Sequence, residues 1–188
     1  MENEPMETPV ESEAGNQQDI SGETVNVSRG AVRNINATYA TIRQGGLQSA
    51  NAEHVTVRQG GMMNVKTESL EMVQAGAGMI RTGRANMTAS NAGVVVSSGT
   101  TNLDQSAARV LVSGGEVRMD QSAAAVLIAN RVQTTGNTNT LILLARNVEG
   151  NVTTAFGPRE SVVFGAIAGA VAGVVLLLGG LARRRRRR

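Results

Sequence analysis

A short internal repeat constrains the fold of this chain more than any other feature of its sequence. The segment Thr41–Gly46, Thr-Ile-Arg-Gln-Gly-Gly, recurs almost unchanged fifteen residues later as Thr56–Gly61, and in a weaker form as Glu71–Gly76. Likewise, Leu103–Ala108 recurs sixteen residues later as Met119–Ala124. A fixed period indicates a repeat architecture, and one this short has no room for the helix pair of a helical repeat. It does have room for one turn of a β-solenoid with two or three short strands.

Apolar residues follow the same period. In the first half of the chain they form alternating pairs: Val25/Val27, Ala40/Ile42, Val55/Val57, Leu70/Met72 and Ala85/Met87. In the second half they form triplets: Val94–Val96, Val110–Val112, Val126–Ile128 and Ile142–Leu144. Alternation of this kind is typical of half-buried strands. An antiparallel sandwich would not require one constant short period.

We therefore predict an all-β fold, a β-solenoid (β-helix) of about eight turns of 15–16 residues, over residues 20–151. Successive turns stack and bury a continuous narrow core, because one turn cannot bury its own apolar face. We expect Val112 to point into this core and Arg118 to point to solvent. One slip of the register is predicted between Met87 and Val94.

The two ends of the chain differ from the repeats. Residues 1–19 carry six acidic residues and no basic one, and are predicted to be a disordered acidic tail. Residues 152–161 are predicted to be a linker. The next segment, Val162–Ala182, has 21 residues and no charge, and as a helix it would span about 31 Å, close to the ~30 Å hydrocarbon layer of a membrane. We predict one C-terminal transmembrane α-helix, followed by a polybasic tail at residues 183–188.

The predicted anchor suggests two kinds of contact. Gly165, Gly169 and Gly173 recur every four residues, so they form one helix face on which a second helix can pack closely. This favours a homo-oligomer. The tail is expected to bind the head groups of anionic lipids in the bilayer, at about 1 kcal/mol per basic residue. Its residues are Arg183, Arg184, Arg185, Arg186, Arg187 and Arg188.

Two opposing tendencies bear on which side of the membrane the solenoid occupies. The positive-inside rule would place the arginines in the cytoplasm and the solenoid outside. However, residues 1–19 lack the basic and apolar regions of a signal peptide, and the opposite orientation requires only the short tail to cross. We expect a single-pass C-terminal anchor with the solenoid in the cytoplasm.

Few residues suit catalysis or the binding of a cofactor. There is no cysteine, which excludes disulfides and thiolate chemistry, and His54 is the single histidine. Asp104 and Asp120 should stack one turn apart, but a calcium ion needs about six to eight oxygen ligands. Basic residues are not interleaved with aromatic ones, as they would be in a nucleic-acid interface. We expect no enzyme activity, cofactor, metal, nucleic acid or small-molecule substrate.

Glutamines recur at one position of the repeat. Gln44, Gln59 and Gln74 are fifteen residues apart and should form a ladder of side-chain amides along one edge of the solenoid. Arg43 and Arg58 precede two of them, so the same edge should carry a modest basic stripe facing solvent.

The repeat resembles that of a known family. The V-x-V-x-x-G-x-V rhythm of Val25–Ala40, Val55–Gly61 and Val110–Val117 is similar to that of bactofilins, bacterial cytoskeletal proteins with a β-helical core. Their Gly-Asp-Ile type turns are missing here, and a C-terminal membrane helix is not their usual tether. The resemblance implies polymerisation. We expect a membrane-anchored, self-assembling scaffold without catalytic activity; the alternative is a membrane-tethered binding protein or an adhesin displayed outside the cell.

Overall fold

The computed structural model describes residues 10–13, 19–150 and 152–156. These residues form strands throughout, connected by short corners. In chain order the strands are β1 (Val10–Glu13), β2 (Asp19–Ile42), β3 (Gly45–Arg58), β4 (Gly60–Val73), β5 (Gly76–Thr88), β6 (Asn91–Ser97), β7 (Thr101–Asp104), β8 (Ala107–Asp120), β9 (Ala123–Thr135), β10 (Thr138–Glu149) and β11 (Val152–Phe156).

All the strand pairs are parallel, and each strand pairs with the next one along the chain. The exception is a division of one turn into two strands, β6 and β7, which both pair with β5 on one edge and β8 on the other. The register follows the repeat, since Val55 pairs with Leu70 and Leu70 with Ala85. The chain is therefore a parallel β-solenoid of about eight turns, which confirms the predicted all-β class.

Each turn has three sides, as strand β3 shows. Buried residues occur at Leu47, at Ala50 and Ala52, and at Val55 and Val57. Two consecutive residues that are not buried separate one group from the next, and these form the corners. We call the side that carries Leu47 side A, the side that carries Ala50 and Ala52 side B, and the side that carries Val55 and Val57 side C.

The three sides contribute different side chains to the core. Side C provides large ones, including the fully buried Leu70, Met72 and Met87. Side B places a large residue beside a small one, for example Ile80 beside Thr82. The buried hydroxyl of Thr82 donates a hydrogen bond to the carbonyl oxygen of Arg84 at 2.7 Å, so the small polar residue is satisfied within its own corner. All the apolar pairs predicted for the first half are buried.

The predicted orientation of Val112 in its apolar triplet was wrong by one residue. Leu111 is completely buried, whereas Val112 beside it is only half-buried and points outward. Arg118 is exposed, as predicted. The register slip also lies at a different place from the one predicted. Thr82 still pairs with Ser97, fifteen residues later, whereas Ala85 pairs with Thr101, sixteen residues later. The extra residue is thus accommodated at the corner between sides B and C.

The parallel stack extends past both predicted boundaries of the solenoid. Strand β1 pairs with β2 inside the segment predicted to be a disordered tail. Strand β11 pairs with β10 inside the segment predicted to be a linker. In both places the composition gave no sign of a strand. The backbone N–H and C=O groups are nevertheless satisfied, because they pair with the neighbouring turn.

The predicted anchor Val162–Ala182 and the polybasic tail lie outside the described residues. Within residues 10–13, 19–150 and 152–156, no helix is long and apolar enough to cross a membrane.

Candidate interaction surface

The outer surface of side B changes character along the stack. In the second half of the solenoid, the middle residue of each apolar triplet is directed into the core, and the first and third residues are directed outward. We call these outward residues, from Val94–Val96, Val110–Val112, Val126–Ile128 and Ile142–Leu144, the apolar face. Several are well exposed: 41% for Val96, 39% for Ile128 and 59% for Leu144.

The apolar face is continuous from turn to turn. Val96 pairs with Val112, Val112 with Ile128, and Ile128 with Leu144. At ~4.8 Å between strands, these four turns form a strip about 15 Å long. In the first half of the stack the same column carries Asn51, which pairs with Lys66, and then Arg81. The apolar face is thus a local feature, which makes it a candidate site of interaction.

Glycine occupies two corner positions beside the apolar face, where successive turns approach closely. A Cβ added to Gly93, at the corner between sides A and B, would lie 2.6 Å from the carbonyl oxygen of Gly78 in the preceding turn. At the corner between sides B and C, a Cβ on Gly115 would lie 2.7 Å from the carbonyl oxygen of Gly99. The close approach of successive turns therefore requires glycine at these two positions.

The rim of the apolar face is basic. Over residues 78–147, side B and its two corners carry one acidic residue, Glu116, and five exposed arginines: Arg81, Arg84, Arg109, Arg131 and Arg146. Glu116 is already paired with Arg118 of side C, at 2.6 Å, and lies 3.9 Å from Arg131. The surface therefore combines an apolar centre with an excess of positive charge around it.

The predicted glutamine ladder is confirmed at the corner between sides C and A. The Gln44 amide donates a hydrogen bond to Gln59 Oε1 at 3.1 Å, and the Gln59 amide donates one to Gln74 Oε1 at 3.2 Å. Gln59 and Gln74 have positive φ angles of 55° and 53°. Arg43 and Arg58 line the same exposed groove, as the predicted basic stripe requires.

In the second half of the stack, a serine ladder runs along the same corner. The backbone amides of Ala75, Ser90 and Ser106 donate hydrogen bonds of 3.0–3.1 Å to the hydroxyls of Ser90, Ser106 and Ser122. Sequence reasoning missed this feature. Its signal was the recurring Asp-Gln-Ser-Ala-Ala, in which the serine is inward and buried.

The other candidate residues are separated from the apolar face. The His54 ring stacks on Tyr39 with centroids 5.0 Å apart. Asp104 and Asp120 are register partners, as predicted, and end strands at the corner between sides C and A, opposite side B. In the part of the chain that the structure describes, no group of three or more His, Cys, Asp or Glu is placed to hold a metal ion. Gly165, Gly169, Gly173 and the six C-terminal arginines are outside that part.

Comparisons of the chain with protein-family models, with curated proteins and with solved structures found no match. The functional proposal therefore rests on the geometry of the stack and on the chemistry of its surfaces.

Proposed function

We propose that this protein is a membrane-anchored structural scaffold without catalytic activity, whose solenoids assemble end to end. Val162–Ala182 would be the anchor, and the arginines of residues 183–188 would contact anionic lipid head groups. Assembly of this kind is what the resemblance to bactofilins implies. The observation that carries the proposal is the state of the core at the C-terminal end of the stack.

The last turn of the solenoid leaves core positions uncovered. Val148 continues the inward column of side C, directly after Val132, yet Val148 is 44% exposed whereas Val132 is completely buried. On side B, Leu143 is only half-buried, whereas Leu127 one turn earlier is completely buried. These side chains belong to the core by position, and among the described residues no further turn covers them.

The backbone at this end is also open. Strand β11 pairs with β10 only over Thr138–Ile142. The rest of β10, from Leu143 to Glu149, pairs with β9 alone among the described residues. An uncovered edge of this kind is a template for pairing with another chain. The N-terminal turn of a second copy has the same parallel geometry and would continue the stack.

The experiment compares two single substitutions in the full-length protein in detergent. Val148→Glu places a charge on the uncovered core, where water solvates it in a single molecule but where a stacked turn would bury it. Asn147→Glu is the matched control, because Asn147 is exposed on the outside of the same strand. Sedimentation velocity should show large, concentration-dependent oligomers for the natural protein and for Asn147→Glu. Val148→Glu should form only the small oligomers that packing of the anchor helices through Gly165, Gly169 and Gly173 allows.

Circular dichroism must show the same β content in all three proteins, so that loss of assembly is distinguished from unfolding. Identical sedimentation of the two variants would contradict end-to-end stacking. A natural protein that stays monomeric at every concentration would favour the alternative, a tethered binding protein.

A further inference from the structure

We infer that the apolar face is a membrane-contacting surface, so that the second half of the solenoid lies against an anionic lipid bilayer. This inference rests on the proposed membrane attachment and adds to it a second, folded contact. The bilayer is thus the partner of side B, whereas the scaffold assembles through the end of the stack.

The shape and chemistry of the face suit a bilayer. Its side chains are valine, isoleucine and leucine on a parallel sheet, and nothing among the described residues packs over Val96, Ile128 or Leu144. Gly93 and Gly115 place no side chain at the corners of their own turns, and the corner residue Leu141 adds a further exposed apolar side chain beside the face. Apolar side chains of this kind can bury themselves at the boundary between head groups and acyl chains.

The charges around the face distinguish a bilayer from a second copy of this chain. Arg109 and Arg146 lie at the two corners of side B, level with the apolar rows. Their long stems can cover apolar surface while the guanidinium groups reach lipid phosphates. Two copies packed face to face would instead bring these arginines together. The acidic residues Asp104 and Asp120 lie at the opposite corner, away from the face.

The position of the face in the chain also favours the membrane. The face reaches Ile142 and Leu144 in the last full turn, and Ile142 pairs with Phe156 at the end of β11. Only residues 157–161 separate Phe156 from the predicted anchor, and five extended residues reach about 17 Å at most. An anchor that begins at Val162 therefore holds this end of the stack, with its apolar side, close to the bilayer surface.

A fluorescence experiment on the full-length protein tests this placement. Because the chain has no cysteine, a single Cys can carry a polarity-sensitive dye at Ile128→Cys, on the apolar face. Asn51→Cys is the control in the polar half of side B, and Asn91→Cys is the control on side A. Each protein is reconstituted in vesicles of phosphatidylcholine and phosphatidylglycerol, with a nitroxide quencher on the acyl chains.

The dye at Ile128→Cys should lose most of its fluorescence to the lipid quencher, and the dyes at the two control positions should keep theirs. Combining Arg109→Glu with Arg146→Glu should reverse the loss at position 128 while the protein still floats with the vesicles. Equal quenching with phosphatidylcholine alone would overturn the assignment to anionic lipid.

The remaining outcomes separate this inference from the proposed attachment. Protein that floats with vesicles but shows no lipid quenching at Ile128→Cys would overturn the membrane contact and leave the anchor standing. Protein that does not float at all would overturn both. Self-quenching between copies, without quenching by lipid, would identify a second copy as the occupant and overturn the inference.

Discussion

The backbone amide of Ser106 donates a hydrogen bond to the hydroxyl of Ser122, which lies 3.1 Å away in the next turn. The Ser106 hydroxyl itself accepts a hydrogen bond from the Ser90 amide at 3.0 Å and donates one to the carbonyl oxygen of Asp104 at 2.8 Å. One small side chain thus connects two turns and its own corner. It stabilises a corner at which Gln105 adopts a positive φ of 47°.

Ser106→Ala should lower the free energy of unfolding by about 1–3 kcal/mol, because it leaves the buried Ser90 amide without a partner. Ser98→Ala is the control, since Ser98 is exposed at another corner and its change should stay within about 0.5 kcal/mol. Chemical denaturation followed by circular dichroism measures both. Equal midpoints for the two variants would show that the serine ladder adds no stability.

The corner glycines beside the apolar face provide a second test. Gly93→Ala should cost about 1–3 kcal/mol of unfolding free energy, because the new Cβ would meet the Gly78 carbonyl oxygen at 2.6 Å. At Gly61 a Cβ would meet nothing within 4 Å. Gly61→Ala should therefore be neutral or should stabilise by about 0.4–1 kcal/mol. Thermal unfolding compares them, and a Gly93→Ala protein as stable as Gly61→Ala would refute the close stacking at this corner.

The phase of the apolar triplets can be tested at adjacent residues. Leu111→Asp would bury an unpaired charge, at a cost of several kcal/mol, out of a total stability of about 5–15 kcal/mol. Val112→Asp places the same charge on the outer surface and should cost much less. The amounts of folded protein and the unfolding midpoints give the comparison. A larger loss for Val112→Asp would mean that Val112 is the inward residue.

The period of this sequence was enough to predict the parallel stack, because inward pairs such as Val55/Val57 allow only one phase. A triplet such as Val110–Val112 allows two, since either its middle residue or its outer residues can face the core. The small residue Ser113, buried two positions after Leu111, resolves the ambiguity. The expectation that apolar residues are buried concealed the apolar face, whose side chains are directed outward.

The glutamine ladder was predictable because identical residues one turn apart must lie side by side in a parallel stack. The outer boundaries were not, because β1 and β11 depend on pairing with a neighbouring turn rather than on their own composition. The extra residue lies between Ser97 and Thr101, whereas the slip was predicted between Met87 and Val94. Corners accept insertions without changing the pattern of apolar residues on either side, so the pattern did not locate it.

We propose that the stack continues from one molecule into the next. The most direct measurement is electron microscopy of the full-length protein in detergent or nanodiscs, with diffraction analysis of the particles. A single solenoid of about eight turns at ~4.8 Å per turn is a rod of about 40 Å. We expect longer rods with an uninterrupted ~4.8 Å axial repeat. Isolated rods of about 40 Å at every protein concentration would contradict end-to-end stacking.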